Sequence, residues 1–220
     1  MIQVLYEDNH VIAVVKPAGM LAQGDKTGDE SMIDEVKKYL KEKYKKPGNV
    51  FVGLLHRLDR PVSGIMLFAK TSKGASRLSE QFRNHQIEKI YHAIVIGKPK
   101  VQRGVLVNVL KKSGRRASTE SAGGKEAVLY YEVITSNQKY SLLKIKIDTG
   151  KFHQIRAQLS AAGFPILGDV KYGGQKWEDE KSIALCATNI TFKTATGEKT
   201  IRLSTTTPKS WQVYLSTGKT

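Results

Sequence analysis

Two arginines, a histidine and a carboxylate fall together at His56-Arg57-Leu58-Asp59-Arg60, followed by the turn-forming Pro61-Val62-Ser63-Gly64. An ionised aspartate between two arginines makes a poor core, but on a firm loop it makes a well-mounted reactive carboxylate. A second group stands at Asp148-Thr149-Gly150-Lys151-Phe152-His153-Gln154-Ile155-Arg156, where a strand is expected to turn into a helix. Outward-pointing backbone N–H groups join Lys151, His153, Gln154 and Arg156 there, which suits an anionic phosphate or a carboxylate partner. Other chemistries are set aside. His56, His85, His92, His153 and Cys186 lack metal-ligand spacing, and no Gly-rich phosphate loop is present. Val62-Ser63-Gly64 is not a serine elbow, and no second carboxylate pairs with Asp59 for glycoside hydrolysis. What remains is one carboxylate among cations.

The elements that must position these groups read mainly as strands. Phe51–Leu55 and Ile65–Ala69 flank the Asp59 segment as apolar runs and are expected as buried strands. Residues 2–6 and 10–16 suggest a hairpin around Asp8-Asn9-His10, ending in a structural bend at Lys16-Pro17-Ala18-Gly19. Ser31 with Asp34 starts a helix with an apolar stripe at Met32, Ile33, Val36, Tyr39 and Leu40, ended by Pro47-Gly48. Its other face carries Lys37, Lys38, Lys41, Lys43, Lys45 and Lys46 and is either solvated or a phosphate contact. Thr71 and Ser72 cap a helix over 73–84, with Ala75, Leu78, Ser79 and Phe82 inward. Residues 87–97 form a strand in which Tyr91 shares a face with Lys89, Ala93 and Val95. Strands follow at 101–110, 127–134, 140–148, 183–192 and 199–204, and a helix runs from about His153. Between them, 111–125 is a basic, Gly/Ser-rich connection bearing Lys111, Lys112, Arg115 and Arg116. It is expected as a mobile hairpin loop that orders on nucleic acid. Many strands joined by short turns argue for an α+β fold with a large, mostly antiparallel central sheet flanked by helices and loops. With no repeat and no long linker, residues 1–220 are expected to form one catalytic domain of two sub-domains sharing that sheet.

Charge points to the partner. Thirty-six Lys and Arg against twenty Asp and Glu leave a net charge of +16, an excess that favours a polyanion. Nucleic acid is preferred to a membrane surface, since no basic amphipathic helix exposes Trp or Phe. No stretch approaches the roughly 20 apolar residues of a membrane span. The start lacks a secretory pattern, and the single Cys186 reads as a buried small hydrophobe, so a cytoplasmic location is expected.

His56-Arg57-Leu58-Asp59 with Ser63-Gly64 resembles the hallmark motif of the RluA family of pseudouridine synthases. Three further segments, in the family order, extend the resemblance over nearly the whole chain. Lys16-Pro17-Ala18-Gly19 is similar to the first motif and Lys89-Ile90-Tyr91-His92-Ala93 to the tyrosine motif. Gly150–Arg156 is similar to the arginine motif, with Pro165–Asp169 and Lys171-Tyr172-Gly173 after it. Val62 stands where the family usually has Thr, and Lys151 where it usually has Arg. The resemblance implies the pseudouridine synthase fold and isomerisation of uridine in rRNA, tRNA or both, without cofactor or metal. It implies that Asp59 is the catalytic carboxylate, nucleophile or base on the sugar, and that Arg156 pairs with it. Tyr91 would stack on the target base, and Arg57 would fill the RNA stack in place of the flipped uridine. His56, Arg60, Lys151, His153, Gln154, Lys111, Lys112, Arg115 and Arg116 complete the expected RNA-binding set. The chain reads as a short form without the S4-like RNA-binding module, and as a monomer. A non-catalytic RNA-binding or ribosome-assembly factor of the same fold is the alternative, disfavoured because Asp59, Tyr91 and Arg156 are all retained. A nuclease using Asp59 and His153 would want a metal site.

Overall fold

The computed structural model describes residues 2–119, 123–177 and 180–216. They fall into two compact units, Met1–Glu88 with Thr188–Thr205, and Lys89–Ala187 with Thr206–Thr220.

In the first unit, β1 (Gln3–Glu7) and β2 (Val11–Lys16) form the expected antiparallel hairpin. Asp8 sets its turn, one carboxylate oxygen accepting the backbone N–H groups of His10 and Val11, each at 2.7 Å. β2 pairs with β4 (Ser63–Ala69) from Val11↔Ala69 to Lys16↔Gly64. That register brings the end of β2 to the exit of the Asp59 segment. On its other side β4 neighbours β10 (Leu185–Lys193), whose antiparallel partner is β11 (Thr200–Ser204). The apolar run at 51–55 is a correction: only β3 (Gly53–Leu54) pairs with β4, and Phe51 is exposed.

Two helices complete this unit. α1 (Met32–Lys43) starts where Asp34 accepts from both Ser31 N and Oγ, and it buries Met32, Val36 and Leu40. α2 (Ser72–Arg83) is capped by Thr71, whose hydroxyl accepts from Gly74 N. Its inward face is Gly74, Leu78 and Gln81 rather than the face centred on Ala75 and Ser79. The rotation has two causes. A Cβ at position 74 would meet the carbonyl oxygen of His10 at 2.5 Å, and the Gln81 amide pairs with both N and O of Lys193. Val11, Ala13, Ile65, Leu67, Leu78, Ile190 and Phe192 form the core.

Glu7 ties β1 to α1, accepting from Lys43, Lys70 and the Tyr44 hydroxyl at 2.6–2.7 Å. Burial alone would raise its pKa, but those hydrogen bonds and the Lys70 charge pull it down to about 2. A lowered carboxylate stabilises the fold above its ordinary pKa and loses that contribution as pH falls toward 2. Glu7→Gln is therefore expected to flatten the stability curve between pH 4.5 and 2 by on the order of 1–2 kcal/mol, read by thermal melts across that range.

In the second unit the strand order is β5-β9-β8-β6-β7, every pairing antiparallel. The strands are β5 (Glu88–Ile96), β6 (Arg103–Ser113), β7 (Arg116–Ser118), β8 (Lys125–Ser136) and β9 (Tyr140–Ile147). The basic connection begins as the expected hairpin. Lys111–Ser113 pairs with Arg116–Ser118 across Gly114-Arg115, which gives its first half a strand ladder. Gly114 at φ 54° supplies the turn, and Ala117 packs with Leu110, Ala127 and Ala157. Residues 120–122 of that connection lie outside the described residues. Along β6, Val105, Val107 and Val109 alternate outward and are exposed, beside exposed Tyr130 on β8. α3 (Gln154–Ala161) packs on β6, β7 and β8. Near the C-terminus Trp211 is buried and the short α4 (Gln212–Leu215) brings Tyr214 into a stack with Trp177. No helix among the described residues is long and apolar enough to cross a membrane.

Candidate active site

In the first unit, the loop carrying Asp59 is bolted to the 16–20 bend. Asp59 is half-buried, and its backbone oxygen accepts from Val62 N at 3.0 Å, closing the turn at Arg60-Pro61. The next carbonyl, that of Arg60, accepts from Gly19 N at 2.8 Å and from Lys16 Nζ at 3.0 Å. The Arg60 side chain returns the contact, Nε donating to Gly19 O and Nη2 reaching Asp29. Gly19 at φ 82° adopts the left-handed conformation this close approach needs.

Lys16 is the hub of the clamp and the residue that sequence reasoning left as part of a bend. It is 0 % exposed, and its Nζ donates to the carbonyls of Pro17, Met20 and Arg60 at 2.8–3.0 Å. Three acceptors around one nitrogen match the three N–H bonds of an ammonium. Burial opposes that charge, the Asp59 carboxylate supports it and Arg60 opposes it again, leaving the pKa near 7. Lys16→Met at pH 8 is expected to cost about 2 kcal/mol in urea unfolding, because buried carbonyls lose their donor. The sign of its pH dependence follows from a folded pKa below the unfolded one. The cost of burying the ammonium is fully present below pH 7 and is relieved as pH rises toward 10.5. Wild type should therefore gain on Lys16→Met by up to about 1 kcal/mol per pH unit from 7 to 9.

In the second unit, α3 opens at His153, which is left-handed at φ 51° and delivers Arg156 inward on the first turn. Arg156 is 5 % exposed and Asp169 1 %. Nε and Nη2 of Arg156 donate to the two oxygens of Asp169 at 2.7 and 2.8 Å, a fork-to-fork pair. The carboxylate seated in the fork is thus Asp169, quoted in the sequence motif but given no role there. The Tyr172 ring lies 5.1 Å from the Arg156 guanidinium carbon. Its hydroxyl accepts from Ala117 N at 2.7 Å and lies 2.9 Å from His153 Nδ1.

The remaining expected residues divide by exposure. Tyr91 is buried on β5 with Ala93 and Val95 on its face, and Lys89, two residues earlier, is half-buried with its pKa lowered by burial. Lys89 belongs to the same motif as Tyr91. Arg57, Lys111, Lys112, Arg115 and Arg116 are exposed, and Lys151 is half-buried. Two of the expected RNA contacts also hold the fold together. Gln154 is buried, its Oε1 accepting from Thr149 Oγ1 and Lys151 N while Nε2 donates to Val128 O, so it braces the turn. His56 uses Nε2 to accept from Leu67 N and packs against Phe82, which makes it a support of the Asp59 loop.

Comparison with known proteins agrees with this assembly of motifs. Residues 10–161 match the family model described as RNA pseudouridylate synthase, a span that includes Lys16, Asp59, Tyr91 and Arg156. The chain is 36% identical over 210 residues to "Ribosomal large subunit pseudouridine synthase C" of Rickettsia prowazekii, covering 93% of this chain and 67% of that one. It is 34% identical over 182 residues to "Ribosomal large subunit pseudouridine synthase D" of Zymomonas mobilis, covering 80% of this chain and 57% of that relative's length. Among solved structures, "Human RNA Pseudouridylate Synthase Domain Containing 4" superposes with a TM-score of 0.80 at 22% identity, over 96% of this chain and 90% of that one. "Human RNA Pseudouridylate Synthase Domain Containing 1" gives 0.75 at 19% identity, over 98% and 86%. Those likenesses establish the α+β pseudouridine synthase fold. With the four motifs in order, the matched span and these relatives in agreement, the chain belongs to the RNA pseudouridylate synthase family, of the RluA type.

Proposed function

We propose that this chain isomerises uridine to pseudouridine within RNA, with Asp59 as the group that acts on the sugar. The observation that supports this most is the mounting of Asp59, a half-buried carboxylate on a turn clamped through Lys16, Gly19 and Arg60. In the reaction the C1′–N1 bond breaks, the base turns, and a C1′–C5 bond forms. N1 ends protonated and the C5 hydrogen leaves to solvent, so no oxidant or reductant is needed. Asp59 serves as nucleophile or as base on the sugar.

By the RluA resemblance, Tyr91 stacks on the target base and takes part in proton transfer at C5, while Arg156 holds Asp59 ionised. A uridine inside a helix must be flipped out at a cost of a few kcal/mol. Arg57, exposed beside the Asp59 turn, offsets that cost by filling the stack. Arg60, Lys111, Lys112, Arg115, Arg116, Lys151 and His153 supply backbone contacts with steep salt dependence. Large-subunit rRNA is the first substrate to try, after the relatives' names, with tRNA second. The test uses RNA tritiated at uridine C5. Release into solvent with rRNA or tRNA is expected, and no release from either overturns the enzyme reading in favour of an RNA-binding factor.

A further inference from the structure

Tyr172 touches three parts of the second unit at once. Its backbone oxygen accepts from Ser160 Oγ on α3 at 2.6 Å, and its ring lies edge-on to His153 and beneath the Arg156 guanidinium. An amide can only donate, so the Tyr172 hydroxyl accepts from Ala117 N and its own proton is available to His153 Nδ1. Ala117 lies in β7 opposite Lys112, between Arg116 and Ser118. A second connection runs through side chains. Lys112 Nζ sits 5.0 Å over the Phe152 ring, and Phe152 stacks on His153 at 3.8 Å.

Arg116 is bonded to Ala117, Arg115 O accepts from Lys171 Nζ next to Tyr172, Lys112 reaches Tyr172 through Phe152 and His153, and the Tyr172 ring lies directly against Arg156. We propose that Tyr172 is a positioning residue that transmits engagement of an RNA phosphate backbone by this hairpin to the orientation of Arg156. The hydroxyl makes the link to the hairpin, and the ring makes the link to the guanidinium. This inference rests on the reading of the chain as an RNA pseudouridine synthase.

The two links can be cut separately. Tyr172→Phe keeps the ring against Arg156 and removes the contacts to Ala117 and His153. It is expected to lower kcat for tritium release about tenfold, while the Kd for RNA stays within about twofold. Arg115→Ala with Arg116→Ala, both on the surface and tolerated by the fold, should weaken RNA binding and also lower kcat at saturating RNA. In the triple variant kcat should fall no further than in Tyr172→Phe, because both changes break the same link. Thermal melts of all three variants accompany the kinetics, since a purely structural latch would lower Tm and leave the two kcat losses multiplicative. A Tyr172→Phe kcat within twofold of wild type, or multiplicative losses in the triple variant, overturns this inference while wild-type activity stands. A wild type that releases no tritium overturns the functional reading, and this inference with it.

Discussion

Asp59→Asn and Asp59→Ala are expected to reduce tritium release from uridine-labelled rRNA at least about 10³-fold, with RNA affinity within a few-fold of wild type. Removing a group that acts directly on the reacting sugar removes stabilisation made only in the transition state, so kcat carries the loss. Both substitutions keep the backbone bonds of the mount, Val62 N to Asp59 O and Lys16 Nζ to the carbonyl of Arg60, while the support of the Asp59 charge for the Lys16 ammonium is lost. Filter binding and a urea melt beside the release assay decide the matter. If both variants bind RNA as wild type does and still turn over, Asp59 is not the reacting carboxylate. If they bind weakly or unfold early, it is a structural residue.

The second large effect concerns Arg156 and Asp169. Both are almost fully buried, and removing either takes from the other its fork-to-fork contact, and breaking a buried ion pair costs about 3–5 kcal/mol. Arg156→Met and Asp169→Leu should each lose about that much in urea unfolding. The double variant should recover most of it, since an apolar pair of similar volume can replace a buried ion pair. Activity should not recover. The guanidinium that the functional reading assigns to Asp59 is gone in the double variant, so its tritium release should match that of Arg156→Met. Asp169→Asn keeps Arg156 but loosens its aim, and about a 10²-fold drop in kcat is expected for a misplacement on the order of 1 Å. Single variants as stable as wild type would show that the pair contributes nothing to the fold. Turnover by the double variant would remove Arg156 from the mechanism.

What could be read from the residue string depended on how local the cause was. The Asp8 turn, the Ser31 and Thr71 helix starts and the alternation of Tyr91 with Ala93 and Val95 are set within a few residues, and each stands as expected. Lys16 was not legible, because a lysine before a proline at a strand end looks solvated. Its burial comes from the β2–β4 register, which sets it opposite Gly64, and from carbonyls supplied as far away as Arg60. Asp169 was similarly hidden. Nothing in its neighbourhood says that a carboxylate thirteen residues after Arg156 will enter the guanidinium fork. The strand pairing within the β6–β7 hairpin was not legible because composition described its solvent face. The signal for pairing was smaller, a Gly114 turn and one inward Ala117 with a place in the core. On α2, Leu78 and Phe82 face the core as expected, while Gly74 rather than Ala75 is the inward residue of the first turn because of the neighbouring His10 carbonyl.

The outward row of Val105, Val107 and Val109 on β6 gives the net charge of +16 a second role. A β-branched, apolar strand face is a template on which copies of a chain can stack. At low ionic strength the uncompensated lysines and arginines hold copies apart. The screening length shrinks from about 10 Å at 0.1 M salt to about 3 Å at 1 M, so brine strong enough to strip RNA also lets these faces meet. Bound RNA and colloidal stability thus draw on the same cations, and a preparation cleared of its polyanion in concentrated salt is the one most exposed to precipitation.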